Sequence, residues 1–174
     1  MWWFRTLSLL ACAVVLAACG FRPLYGNSAG SEASADLASV GIAPIADRIG
    51  QQLHNHLLEL INPRGRPLQP RYTLRVRLSE GIEHLAVRKS ELSTRANLRL
   101  VASFSLSPAG GATPLVEGSS VVVSSYNILK ADFATLIAEK DARARAAREI
   151  AQDIRARLAV FFLQQKSNGI PTIQ

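Results

Sequence analysis

Residues 95–106, Arg95-Ala96-Asn97-Leu98-Arg99-Leu100-Val101-Ala102-Ser103-Phe104-Ser105-Leu106, decide the fold. Ala96, Leu98, Leu100, Ala102, Phe104 and Leu106 alternate with Arg95, Asn97, Arg99, Ser103 and Ser105, the period-two pattern of a strand with one buried face. Just upstream the same habit recurs, with Tyr72, Leu74, Val76 and Leu78 alternating with Arg71, Thr73, Arg75, Arg77 and Ser79. Downstream, Ser107-Pro108-Ala109-Gly110-Gly111 reads as a turn, and residues 115–126 form a further strand of valines and serines. The second and third long strands are therefore expected to make an antiparallel hairpin. Between Ser79 and Ser93, Gly81 and the charged pair Arg88-Lys89 suggest a loop or bulged turn.

Helical spacing brackets these strands. Residues 37–42 are a short strand candidate interrupted by Pro44, after which Asp47 is placed to cap a helix carrying Ile49, Leu53, Leu57, Leu60 and Ile61 on one side. The run Asn62-Pro63-Arg64-Gly65-Arg66-Pro67 stops that helix. The longest element runs from Asp132, its expected N-cap, to about Leu163. Phe133, Leu136, Ile137, Ala144, Ala147, Ile150, Ala151, Ile154, Leu158, Phe161 and Phe162 fall along one face, and Glu139, Arg143, Arg145, Arg148 and Arg155 lie mostly off it. The order strand, helix, three strands, helix predicts an α+β domain, with two helices packed on one face of a small, mostly antiparallel β-sheet in a two-layer sandwich. The opposite face would carry Arg71, Arg75, Arg77, Arg95 and Arg99.

The N-terminus has a different character. Arg5 supplies positive charge, residues 7–18 are an apolar run too short to span a bilayer, which takes about 20 residues, and Leu16-Ala17-Ala18-Cys19-Gly20 closes it. That arrangement resembles a bacterial lipoprotein signal peptide with its lipobox. Cleavage before Cys19 would leave a residue whose thiol can carry a thioether-linked diacylglycerol and whose freed α-amino group can carry an N-acyl chain, with about 0.8 kcal/mol of anchoring per buried methylene. Gly20 stands where an aspartate would favour inner-membrane retention, so the expected address is the periplasmic side of the outer membrane. The expected division is 1–18 signal peptide, 19–36 lipidated N-terminus and flexible spacer rich in small polar residues, 37–166 one domain, and 167–174 a frayed tail. The chain has two cysteines, Cys12 and Cys19, and Cys12 falls inside the signal, so the mature domain would hold no thiol for a disulfide, zinc site or nucleophile.

The formal charge is +7. On an exported, tethered protein this balance points to anionic lipid, glycolipid or an acidic protein surface rather than nucleic acid, unless the arginines only solubilise the surface. No enzyme is legible. His54 and His56 are two apart on a predicted helix and diverge, His84 beside Glu83 has no nucleophile to serve, and no metal or phosphate-loop motif occurs. The arginine rows could form a patch for phosphate or carboxylate groups, or a solvated face whose charges discourage edge pairing. Lys140, placed in the apolar stripe by the spacing Leu136, Lys140, Ala144, either snorkels at the helix border or faces a ligand or partner. Val121 and Val123 are either interface or core.

The string Cys19-Gly20-Phe21-Arg22-Pro23-Leu24-Tyr25-Gly26 resembles the mature start of the lipopolysaccharide-assembly lipoprotein family, LptE. The element order fits throughout the mature chain, and residues 45–57, with Arg48 and spaced leucines, are similar to that family's first helix region. The resemblance implies a non-enzymatic outer-membrane lipoprotein that plugs the lumen of the LptD β-barrel and assists lipopolysaccharide delivery to the cell surface. It implies no cofactor beyond the acyl chains at Cys19. It also implies lipopolysaccharide-binding basic residues, matched by order and context to Arg88, with Lys89 beside it, and to Lys140. An accessory lipoprotein of another envelope lipid-transport system is the alternative.

Overall fold

The computed structural model describes residues 34–85, 94–129 and 131–167. Its element order is β1 (Val40–Ile42), α1 (Asp47–Ile61), β2 (Tyr72–Leu85), β3 (Thr94–Pro108), β4 (Val116–Ile128) and α2 (Asp132–Ser167). The four strands form one sheet in the order β1-β2-β3-β4. β2 pairs antiparallel with β3 from Tyr72↔Pro108 to Leu85↔Arg95, and β3 with β4 from Thr94↔Ile128 to Leu106↔Val116. β1 runs parallel to β2, with α1 in the crossover that a parallel pair requires. The expected α+β sandwich is therefore present, with a mixed, mostly antiparallel sheet and helices packed against it.

The alternation decides which side is covered. Tyr72, Leu74 and Val76 of β2, the six apolar alternates of β3, and Val122 and Tyr126 of β4 are buried. They meet Leu53, Leu57 and Ile61 of α1 and Ala146, Ile150, Ile154, Leu158 and Phe162 of α2 in one continuous core. Burying each such large apolar side chain contributes about 1.5–3 kcal/mol. Tyr72 and Phe162 anchor it with ring centroids 5.2 Å apart. Asn62, directly after α1, is 5% exposed and donates from Nδ2 to the carbonyls of Ala38 (3.1 Å) and Val40 (3.2 Å), tying the helix end to β1.

Several local expectations need correction. Residues 34–38 make a helical turn, so the first strand begins only at Val40. Asp47 does not cap α1: Ala46 occupies that position with no side-chain bond, and Asp47 adopts φ 65°, a left-handed conformation that short polar side chains tolerate. β2 does not stop at Ser79 but continues through Gly81 to Leu85, because a long β3 offers it pairing partners throughout. Asp132 is the first residue of α2 rather than a cap outside it, where its charge suits the positive helix end. Thr135 fastens that end, its Oγ1 accepting from the Leu129 N–H at 2.9 Å. α2 runs on to Ser167, past the expected Leu163. The largest departure lies in its first turns, where Phe133, Leu136 and Ile137 are 75%, 45% and 46% exposed instead of buried. Fully buried residues of the helix begin only at Ala142, with Ala138 packed against the core in part.

Candidate functional site

The turn that closes the β3–β4 hairpin is built as its sequence requires. Gly110 takes φ 77°, which glycine adopts without steric cost, and Gly111 N–H bonds Pro108 O at 3.0 Å. This fixes the β3–β4 register, while the β2–β3 pairing sets Arg75, Arg77, Arg95 and Arg99 together on the uncovered face, all four exposed, with Arg71 exposed just before β2. They do not form one patch. Arg75 and Arg77 stand opposite Ser105 and Ser103, whereas Arg99 stands opposite Gly81 and Arg95 opposite Leu85. Four residues of strand, about 13 Å at 3.3 Å per residue, separate the pairs, with Ser79, Val101 and Val121 in the row between them. Val121 and Val123 lie on this open face, 47% and 52% exposed. Ser125 Oγ donates to Asn97 Oδ1 at 2.7 Å beside them.

The covered side holds a denser electrostatic arrangement. Arg143 on α2 donates to Glu80 on β2 from Nε (3.0 Å to Oε1, 3.2 Å to Oε2) and from Nη2 (2.8 Å to Oε1). The same Nη2 lies 2.6 Å from Glu139 Oε1, one helical turn back. The hydrogen bond to Glu80 outweighs desolvation and pushes the Arg143 pKa further up. Nearby, burial first and then the Glu139 carboxylate hold the Tyr126 phenol above its usual value. Beside this group a pocket of about 330 Å³ is lined by Asp47, Arg48, Ile49, Gln52, Glu80, Lys140 and Arg143. Lys140 thus faces a concavity between the start of α1 and α2. Among the described residues it has no ion-pair partner, nor has Arg48, while Arg143 is committed to carboxylates. A larger cleft of about 900 Å³ opens between residues 43–47 and strand segments 75–78, 103–105 and 117–119.

The histidines are apart from this site. His54 accepts from Arg66 Nη2 at 3.1 Å, burial and then that guanidinium lowering its pKa. His56 sits 3.8 Å from Glu59, and His84 is exposed on β2. No cluster of three or more His, Cys, Asp or Glu that could hold a metal ion occurs among the described residues, and no helix among them is long and apolar enough to cross a membrane. Cys19, Arg88 and Lys89 lie outside the described residues. Sequence reasoning missed the Glu80–Arg143 pair and the pocket. The Glu139–Arg143 spacing of four was a readable helical ion pair, but Glu80 lies 63 residues away in sequence.

The two-layer α+β fold is similar to that of bacterial lipoproteins of known structure. The fold is similar to a crystal structure described as a lipoprotein of Caulobacter crescentus CB15 (TM-score 0.62, 22% identity, 77% of this chain and 97% of that one). It is also similar to the minor lipoprotein of Acinetobacter baumannii (0.55, 17%, 70% and 91%) and to rare lipoprotein B of Shewanella oneidensis (0.57, 10%, 73% and 98%). In sequence, the chain is 22% identical over 162 residues to an uncharacterised protein of Rickettsia prowazekii, covering 93% of this chain and 99% of that protein. No family model matches the chain.

Proposed function

We propose that this chain is a lipid-anchored protein of the bacterial envelope, of the LptE type, whose domain plugs an LptD-type β-barrel and assists lipopolysaccharide assembly at the cell surface. In this reading residues 1–18 are removed, Cys19 carries diacylglycerol and an N-acyl chain, residues 19–36 are a tether on the periplasmic side of the outer membrane, residues 37–166 are the working domain, and 167–174 is a tail. The observation that carries the reading is the fold likeness, which spans at least nine-tenths of three lipoproteins and accompanies a lipobox ending at Cys19. A wide barrel has a polar interior, and a compact domain with one open face of serines and arginines suits it.

The ligand site in this reading is the pocket at Lys140, with Arg48 across it. Arg88 and Lys89 belong to the segment joining β2 to β3. Cations at these positions would take the phosphates of lipid A, in competition with divalent ions, and loosen aggregated glycolipid. The test is isolation of the Cys19-anchored protein from native envelopes in mild detergent, with partners identified by mass. Stoichiometric recovery of a large β-barrel, lost together with acylation in Cys19→Ala, is the expected result. Recovery of inner-membrane transporter subunits, or of no barrel, overturns it.

A further inference from the structure

β4 is the outermost strand of the sheet, and among the described residues nothing pairs with its far edge. Strand edges are normally blunted by lysine, proline or a bulge, because an unpaired row of N–H and C=O groups invites another strand. The 13 residues of β4, Val116–Ile128, hold one charged side chain, Glu117, and no proline. The edge is instead self-complementary. Ser119-Ser120-Val121-Val122-Val123-Ser124-Ser125 reads the same in both directions about Val122.

An antiparallel pair of identical strands related by a twofold axis sets residues equidistant from the axis opposite one another. With the axis at Val122, Val121 faces Val123 of the second copy, Ser120 faces Ser124 and Ser119 faces Ser125. Further out, Gly118 faces Tyr126, and Glu117 faces Asn127. Every pair joins residues of the same sheet face, and no charge meets its like. On the open face, Val121 and Val123 from both copies form one apolar strip, continued by Val101, which stands opposite Val121 in β3. Apolar β-branched cross-strand pairs of this kind stabilise a sheet.

The helix layer supplies a second, independent complementarity. Arg145 of α2, paired with Asp141, donates to Ser124 Oγ at 3.3 Å, and Asp153, paired with Arg157, lies beside Ser120 two turns further along α2. Since Ser124 of one copy stands opposite Ser120 of the other, the Asp141–Arg145 pair of one copy is brought beside the Asp153–Arg157 pair of the second, and the contact occurs twice. We propose that two copies of this chain join edge to edge through β4, antiparallel about Val122, into one continuous eight-stranded sheet. This inference concerns the chain free of any barrel and does not depend on the barrel reading.

The test uses the full chain in detergent with Cys12→Ser and Cys19→Ser, which removes both native cysteines, and adds Val121→Cys or Val123→Cys. Directly opposed residues have Cα atoms about 4.5–5.5 Å apart and can be bridged, whereas the 121–121 and 123–123 diagonals, at about 7–8 Å, cannot. Oxidation of the two variants mixed should give 121–123 cross-linked dimers, and each alone should give almost none. No cross-link in the mixture, or equal cross-linking by each variant alone, overturns the pairing. In sedimentation the cysteine-free parent should approach twice the 18.8 kDa of one chain as concentration rises, and Val121→Lys with Val123→Lys should abolish that rise. Both valines are exposed, so the lysines leave the fold intact, as circular dichroism will verify. A parent that stays at the mass of one chain at every concentration, or a lysine variant that dimerises as well as the parent, also overturns it.

Discussion

Arg143 binds Glu80 through two nitrogens while holding Glu139 with one of them, so a single guanidinium serves two carboxylates from two different elements. The side chains of all three residues are less than one-third exposed. Arg143→Ala would strand both carboxylates in a partly desolvated place, at a cost of about 1–3 kcal/mol. Arg143→Lys keeps the charge but loses the planar fork, and should fall between the two. Urea unfolding of the three proteins checks the order. Equal midpoints would mean that the contact contributes nothing.

Gly118 lies against the Phe104 ring so closely that an added Cβ would come within 2.7 Å of it. Phe104 is 4% exposed and has little room to retreat. Gly118→Ala should therefore destabilise by about 1–3 kcal/mol, the usual cost of overpacking. Gly81→Ala, where a Cβ meets nothing within 4 Å, should be neutral or slightly stabilising. Thermal melting of the two variants side by side would separate close packing from any general cost of replacing a strand glycine.

Asn62→Ala removes the two donor bonds to Ala38 and Val40 and leaves their carbonyls without those partners. A loss of about 2 kcal/mol is expected, together with faster amide exchange in the three-residue β1. If β1 exchange is unchanged, the asparagine is not what holds that strand.

The strands and helices were legible because alternation and helical spacing record which faces are buried. Ala96 to Leu106 states its buried face outright, and the Pro108 to Gly111 turn states the hairpin. What periodicity cannot record is whether anything lies opposite the apolar face. Phe133, Leu136 and Ile137 carry the same stripe as Ile154 and Leu158, yet only the latter reach the sheet. Nor does it reveal long-range ionic partners. Lys140 was visible as an anomaly in the stripe, but the pocket it lines needs Arg48 and Glu80, which only the folded chain brings to it. The arginine rows were read correctly as to face. Their division into two groups depends on the β2–β3 register, which a sequence of alternating residues leaves free by steps of two.

Charge reversal at the pocket tests the ligand reading without disturbing the core. Lys140 is exposed, so Lys140→Glu should leave the melting temperature nearly unchanged. Loss and inversion of an exposed contact to a phosphate should weaken lipopolysaccharide binding several-fold, at roughly 0.2–1 kcal/mol per exposed pair. Lys140→Glu combined with Arg48→Glu should weaken it further, and raising ionic strength should shrink the difference. Binding that is unchanged in a folded double variant would remove the pocket from consideration.

His54 gives the fold a pH dependence near neutrality. Burial first, and then the Arg66 guanidinium, hold its pKa below the ordinary 6.5, so the folded chain resists a proton that the unfolded chain accepts. The stabilisation from a neutral His54 is present above about pH 6.5 and is lost as pH falls through that value toward the lower folded one. The protein should therefore melt progressively earlier as the medium is taken from about pH 7.5 to about 5.5. His54→Gln should flatten that decline over the same interval, since an amide does not titrate. Arg66→Ala should reduce it in part, because it removes the second cause and leaves the first. Melting curves at several pH values decide the matter: a slope in His54→Gln parallel to the native one would assign the dependence to other groups.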